Sequence, residues 1–289
     1  MTNAIFTGLM LGGMYALIAM GLTLQYGVAR IMNLSYGEFL VAASFASYWL
    51  FTGWALNPLL GLAIVVPIGF GGSIILYHVL LTPLVRRAPT RDALEVDSLL
   101  ATFGMMFIVQ GIMLTMFGGA YFSYSFLSIP VNVFGETLAL NRLVAFGLAV
   151  VFGLVLYLAL TRTRFGTAIR AVAVDPSAAQ LVAIDVTAIS AFAFALGGAL
   201  VAAAGVLVSM FLTFSASSGV IFTMKALMVV VMGGVGNLLG CLVAGLALGL
   251  SESLVATFVD PGLTLAVNFA LFLGVLLVKP AGLFGRAQR

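Results

Sequence analysis

Long apolar runs without a charged side chain dominate this chain and restrict it to folds that a lipid solvent accepts. Residues 1–29 carry no charge at all. Nine such runs read as helices, at about 4–26, 38–55, 59–82, 98–118, 142–161, 187–211, 219–235, 238–258 and 262–278. Only 7% of the 289 residues are charged and 63% are hydrophobic, with a mean hydropathy of +1.24; a soluble domain carries about 25% charged residues. A water-exposed enzyme, a DNA-binding domain despite a pI near 9.2, and a disordered chain are all excluded. The expected fold class is all-α, one polytopic transmembrane bundle over 1–289 with about nine spans, eight to ten being compatible with the loops.

A single cysteine, Cys241, excludes an intrachain disulfide. With His78 as the one histidine, no four-ligand zinc site of the usual kind and no Ser/His/Asp triad can be assembled. The uncharged start lacks the basic region of a cleavable signal peptide, so the first apolar segment is expected to stay in the mature protein.

Basic residues in short loops set the expected orientation. Arg30; Arg86, Arg87 and Arg91; Arg162, Arg164 and Arg170; and Lys279, Arg286 and Arg289 fall on one side of a nine-span arrangement, ten of the twelve basic residues. That side is read as cytoplasmic, with the N-terminus outside and the C-terminus inside.

Two stretches interrupt apolar sequence with glycine and amide or hydroxyl groups: 27–37 and 233–237. Each reads either as a tight turn between helices or as a break within the protein, where non-helical backbone must be buried or line a wet cavity. In the second reading Asn33, Ser35, Tyr36, Gly37, Gly233, Gly234, Gly236 and Asn237 are candidates for a solute path, because paired interruptions in two halves mark such paths. Gly236, Gly240 and Ala244, then Gly245 and Gly249, space small residues for close helix contact, read as interior packing.

The segment 162–187 is the longest hydrophilic stretch of a chain with otherwise short loops. Asp175 before Pro176 is a helix start, the carboxylate capping free N–H groups and the proline preset for the first position. A helix to about Ile184 would align Ala178, Leu181, Val182 and Ile184 in an apolar stripe beside Arg162, Arg164 and Arg170. Such a helix either packs on its own bundle or docks in a groove of a cytoplasmic motor.

The opening run Gly8 to Leu24, then Met32-Asn33-Leu34-Ser35-Tyr36-Gly37-Glu38, Thr163 to Ile184, and Lys225-Ala226 followed by Gly233 to Gly240 resemble, in order and spacing, the LivH-type permeases of branched-chain amino acid ABC transporters. Ser35-Tyr36 stands where many relatives read Ala-His. The resemblance implies a permease subunit in a bacterial inner (cytoplasmic) membrane, paired with a second related permease, two cytoplasmic ATPase subunits and a periplasmic solute-binding protein. It assigns coupling to the ATPase to Arg170, Asp175, Pro176 and Ala179, beside Ala178, Leu181 and Val182 of the stripe. Branched-chain amino acids are the implied solute, with urea, an amide or an aromatic acid as family alternatives. Urea-type relatives often have a long N-terminal extension, which tilts this sequence towards amino acids.

No cofactor is expected on the chain itself. A Walker A motif needs Gly-Lys-Ser/Thr, and the two lysines, Lys225 and Lys279, precede Ala226 and Pro280. ATP and magnesium belong to the partner subunits, and the chain is not expected to be an enzyme. Lys225 and Glu252 fall at matching depths in adjacent spans, about 9 Å from the same end at 1.5 Å per residue, and are expected to pair. Glu38 and Arg30 flank the first interruption, where they would be neutralised by each other or by water. A stand-alone ion-coupled transporter or channel is the alternative, thinly supported by Glu38 and Glu252.

Overall fold

The computed structural model describes residues 1–87, 90–133 and 135–285, except the side chains of 91 and 92. Arg286, Arg289 and the Arg91 side chain, used above for orientation, lie outside this description. All nine apolar segments are helical: α1 (Thr2–Ala29), α2 (Tyr36–Trp54), α3 (Pro58–Leu76), α5 (Arg91–Phe117), α6 (Leu140–Arg162), α9 (Val186–Ser209), α10 (Gly219–Gly233), α11 (Leu238–Phe258) and α12 (Thr264–Val278). Helix α3 continues through a π-helical turn at Tyr77–Leu81 into α4 (Thr82–Arg87). Helices α7 (Arg164–Val174) and α8 (Pro176–Leu181) form the hydrophilic segment.

Among the described residues seven helices are long and apolar enough to cross a bilayer alone. The other two apolar segments are α10, which is short at 15 residues, and α2, whose 19 residues include Glu38 and several serine, threonine and tyrosine side chains. Each follows a non-helical segment, residues 30–35 before α2 and 210–218 before α10. Helix α10 joins its antiparallel neighbour α11 by a four-residue turn, yet is six residues shorter, so it starts about 9 Å short of the far end of α11. The first non-helical segment also lies deep in the bundle. Leu34 meets Thr102, eleven residues along α5, about 16 Å from the helix start.

Helices α1 and α9 form the buried centre, and α3, α5 and α12 expose apolar side chains around it. Small residues explain the close packing. Gly8 and Gly12 face the backbone of Leu250 and Leu246, and Gly245 and Gly249 face Ala16 and Gly12; a Cβ on Gly245 would come within 2.7 Å of the Ala16 nitrogen. Gly245 and Gly249 are thus interior packing of α11 on α1, and Gly240 is packing of α11 on Gly233 of α10, van der Waals contact being what holds helices together in lipid. Antiparallel α3 and α9 use the same device, Gly69 and Gly198 admitting Ala202 and Ser73. In chain order, α1, 30–35, α2 and α3 and again α9, 210–218, α10 and α11 follow one succession of helix, non-helical segment, helix and antiparallel partner, and α1 packs on α11 as α9 packs on α3.

One face of the bundle carries the start of α1 and the segment 118–139, with its antiparallel hairpin of β1 (Pro130–Val133) and β2 (Glu136–Ala139). The opposite face carries Arg30, Arg86, Arg87, Arg162, Arg164, Arg170 and Lys279.

Candidate functional site

The non-helical backbone at 30–35 is buried, so its polar groups need partners inside the protein. Two threonines supply them. Thr102 Oγ1 accepts from Leu34 N–H at 3.1 Å and donates to Met32 O at 3.0 Å. Thr223 Oγ1, on α10, accepts from Gly37 N–H at 2.8 Å and lies 3.3 Å from Leu34 O. Asn33 folds the segment on itself: its Oδ1 accepts from Ser35 N–H at 3.1 Å and Ser35 Oγ at 2.7 Å, while its Nδ2 donates to Gln25 Oε1 at 3.1 Å. Gln25 passes the chain of bonds to Phe194 O of α9. Tyr36 Oη donates to Gly197 O at 3.1 Å, occupying space that a side chain on Gly21 would fill.

The starts of α2 and α10 meet here. Gly37 and Gly219 lack the side chains that would collide, Gly37 against Gly219 O and Gly219 against the Glu38 carboxylate. Glu38 is fully buried, and among the described residues neither of its oxygens has a hydrogen-bond partner. Arg30 does not neutralise it. The left-handed Arg30 instead closes the end of α1, its N–H bonding Tyr26 O.

On the hairpin face an aromatic lid covers the second non-helical segment. Phe122 and Phe214 exchange backbone bonds of 2.8 and 3.0 Å, and Phe45, Phe117, Phe122 and Phe214 cluster edge to face and stacked. Tyr124 Oη bridges Ser47 Oγ at 3.0 Å and Ser209 Oγ at 2.9 Å, tying the lid to α2 and α9. Burial pushes this phenol above its ordinary range, so it stays a neutral bridge.

Lys225 and Glu252 are brought together: Lys225 Nζ lies 2.8 Å from Glu252 Oε1 and 2.9 Å from Oε2, with both side chains mostly buried. Tyr15 Oη at 2.7 Å and Asn268 Nδ2 at 3.2 Å complete the cluster.

The residues 233–237 form the turn between α10 and α11 on the basic face. Positive φ at Gly234 and Gly236, 96° and 82°, is what glycine supplies there. Asn237 caps α11, its Oδ1 accepting from Gly240 N–H at 3.0 Å, and its Nδ2 donates to Phe284 O. Gly233 packs on Gly240. These groups lie apart from Asn33, Ser35, Tyr36 and Gly37. The segment that mirrors 30–35 in the chain order is 210–218.

Asp175 Oδ1 accepts from Ser177 and Ala178 N–H, at 2.9 and 3.1 Å, and Pro176 opens α8. The helix ends at Leu181 rather than near Ile184, because Ala183 turns left-handed. Ala179 is buried on the bundle while Ala178, Leu181 and Val182 are exposed, Leu181 at 89%. Arg170 bonds back to Gly166 O along α7.

Residues 4–276 match the family model described as "Branched-chain amino acid transport system / permease component". The high-affinity branched-chain amino acid transport system permease protein LivH of Escherichia coli (strain K12) is 29% identical, covering 98% of this chain and 95% of the relative. The corresponding permease protein BraD of Pseudomonas aeruginosa is 30% identical, covering 97% and 94%. The structure of PsaBC from Streptococcus pneumoniae in complex with Fab is similar in fold, with a TM-score of 0.52 at 14% identity, covering 98% of this chain and 93% of that one.

Proposed function

Because the chain belongs to the branched-chain amino acid transport permease component family, we propose that it is the membrane subunit of an ABC importer that moves branched-chain amino acids inward by ATP-driven alternating access. The observation that carries this reading is the buried meeting of the starts of α2 and α10, each preceded by non-helical backbone, in a bundle closed on the hairpin face by aromatic rings. Interrupted helices at the centre of a bundle are where transporters bind and release solute.

The solute path passes Asn33, Ser35, Tyr36 and Gly37, with the turn Gly233, Gly234, Gly236 and Asn237 at its mouth on the basic face. That face is cytoplasmic in this reading, by the positive-inside rule, in the inner membrane of a bacterium. A periplasmic binding protein delivers the solute to the hairpin face. Two ATPase subunits bind the opposite face through α7 and α8, with Arg170, Asp175, Pro176, Ala178, Leu181 and Val182 at or beside the contact and Ala179 anchoring α8 to the bundle. A second, related permease completes the membrane part, and ATP with magnesium stays on the ATPases.

Proteoliposomes containing this chain, the second permease, the ATPases and the binding protein test the assignment. Labelled leucine, isoleucine or valine should accumulate only with ATP and binding protein. Uptake driven by an ion gradient without ATP would replace the importer with an ion-coupled transporter, and uptake of urea, an amide or an aromatic acid in place of these amino acids would change the solute.

A further inference from the structure

Glu38 has no structural partner that accounts for its charge. It is fully buried, neither oxygen accepts a hydrogen bond among the described residues, and Lys225 is paired with Glu252 instead. An ionisable group placed so deep is costly and marks a transport pathway more often than a packing site. Its surroundings are specific. It lies in the first turn of α2, and the start of α10 closes over its carboxylate at Gly219. Two helix N-termini therefore converge on one carboxylate, and their dipoles favour negative charge at that point.

The covering is thin. Gly37 and Gly219 bring bare backbone together, and the Thr223 hydroxyl joins α10 to α2 by accepting from Gly37 N–H and to the non-helical segment by lying 3.3 Å from Leu34 O. Separation of α10 from α2 breaks few polar bonds and opens Glu38 beside the segment that carries Asn33 and Ser35 and beside Thr223 of α10. A carboxylate uncovered in such a place, with no basic side chain bonded to it among the described residues, attracts a small solute bearing an ammonium group.

We propose that Glu38 accepts the ammonium group of the transported amino acid at the centre of the permease when α10 moves away from α2. The inference rests on the importer reading and adds the residue that recognises the amino group. Selection on that group would occur within the membrane, downstream of the binding protein.

Glu38→Gln preserves size and removes the charge, so it separates binding from packing. In the complete proteoliposome complex it should lower amino-acid uptake at least about tenfold, the worth of one charge-assisted hydrogen bond, while ATP hydrolysis and assembly persist. Normal uptake by Glu38→Gln beside an active unsubstituted complex would overturn the role of Glu38 alone; absence of uptake by the unsubstituted complex would overturn the importer reading itself.

Glu38→Cys in a Cys241→Ser chain adds a readout of charge. Modified during ATP turnover, it should regain uptake with a sulfonate-bearing methanethiosulfonate and not with a trimethylammonium one. Equal responses to both reagents, or no labelling in any state, would contradict the proposal. Uptake by the unsubstituted complex should not change when choline replaces sodium; loss of uptake on replacement would assign the carboxylate to an inorganic cation.

Discussion

Lys225 and Glu252 form a bidentate ion pair, 2.8 and 2.9 Å from Nζ to the two carboxylate oxygens, between α10 and α11. Tyr15 of α1 and Asn268 of α12 bond to its two ends, so four helices meet at one charge cluster. Removing one partner strands the other charge, at a cost of about 3–5 kcal/mol. Lys225→Met and Glu252→Gln should therefore each lower thermal stability in detergent more than the double substitution does relative to either. Additive losses in that cycle would show that the two do not act as a pair.

Packing of α11 on α1 gives a second expectation. Gly249 lies against the Gly12 backbone with no room for a Cβ, whereas a Cβ on Gly72 meets nothing within 4 Å. Gly249→Val should destabilise the bundle by about 1–3 kcal/mol or more, the usual effect of overpacking, and Gly72→Ala should leave the melting temperature nearly unchanged. Equal melting temperatures for the two variants would contradict the tight α1–α11 contact.

The coupling segment makes the third. Ala179 is buried and Leu181 exposed, so Leu181→Cys should crosslink to the ATPase subunit in membranes, and bulk at Ala179 should loosen α8 instead. Asp175→Ala removes the acceptor for two N–H groups and should cost about 0.5–2 kcal/mol of local stability. Faster proteolysis within 175–182 and a lower ratio of uptake to ATP hydrolysed would register it. Labelling of the Leu181→Cys variant from the hairpin side of sealed vesicles would reverse the proposed orientation.

Close approach of the two helix starts makes the fourth. Gly37→Ala places a methyl group against Gly219 O. Uptake should fall well below one tenth of normal, on the order of the effect of a misplacement of about 1 Å in a site, while pull-down of the ATPase is unchanged. Unchanged uptake would place the path away from this contact.

Much of this arrangement is written in the sequence, and the omissions have physical causes. The nine apolar segments stand out because lipid forbids charge, and the Lys225–Glu252 pair follows from counting residues along two neighbouring helices. The non-helical segment 210–218 does not stand out. Phe211, Leu212 and Phe214 are as apolar as any helix, and the signal lies in Ser215, Ser217 and Ser218 before Gly219. Glycines at 233–237 draw attention through a turn that needs positive φ at Gly234 and Gly236, a local demand with no bearing on depth. The hairpin at 130–139 escapes a reading for periodicity because alternation over four residues is brief beside the helical runs. Glu38 stands only eight residues from Arg30 in the chain and reads as pairable with it; the three-dimensional path of 30–35 is what separates them.

In the proposed importer, access alternates around the meeting of 33–38 with 219–223. The measurement that addresses it most directly is labelling of Ser35→Cys, in a Cys241→Ser chain, by an impermeant thiol reagent applied to either side of the reconstituted complex in each nucleotide state. Ser35→Cys should be labelled from the hairpin side in one state, from the basic side in another, and from neither while the lid and the α2–α10 contact are both closed. Labelling from one side in every state, or from neither side in any, would contradict it.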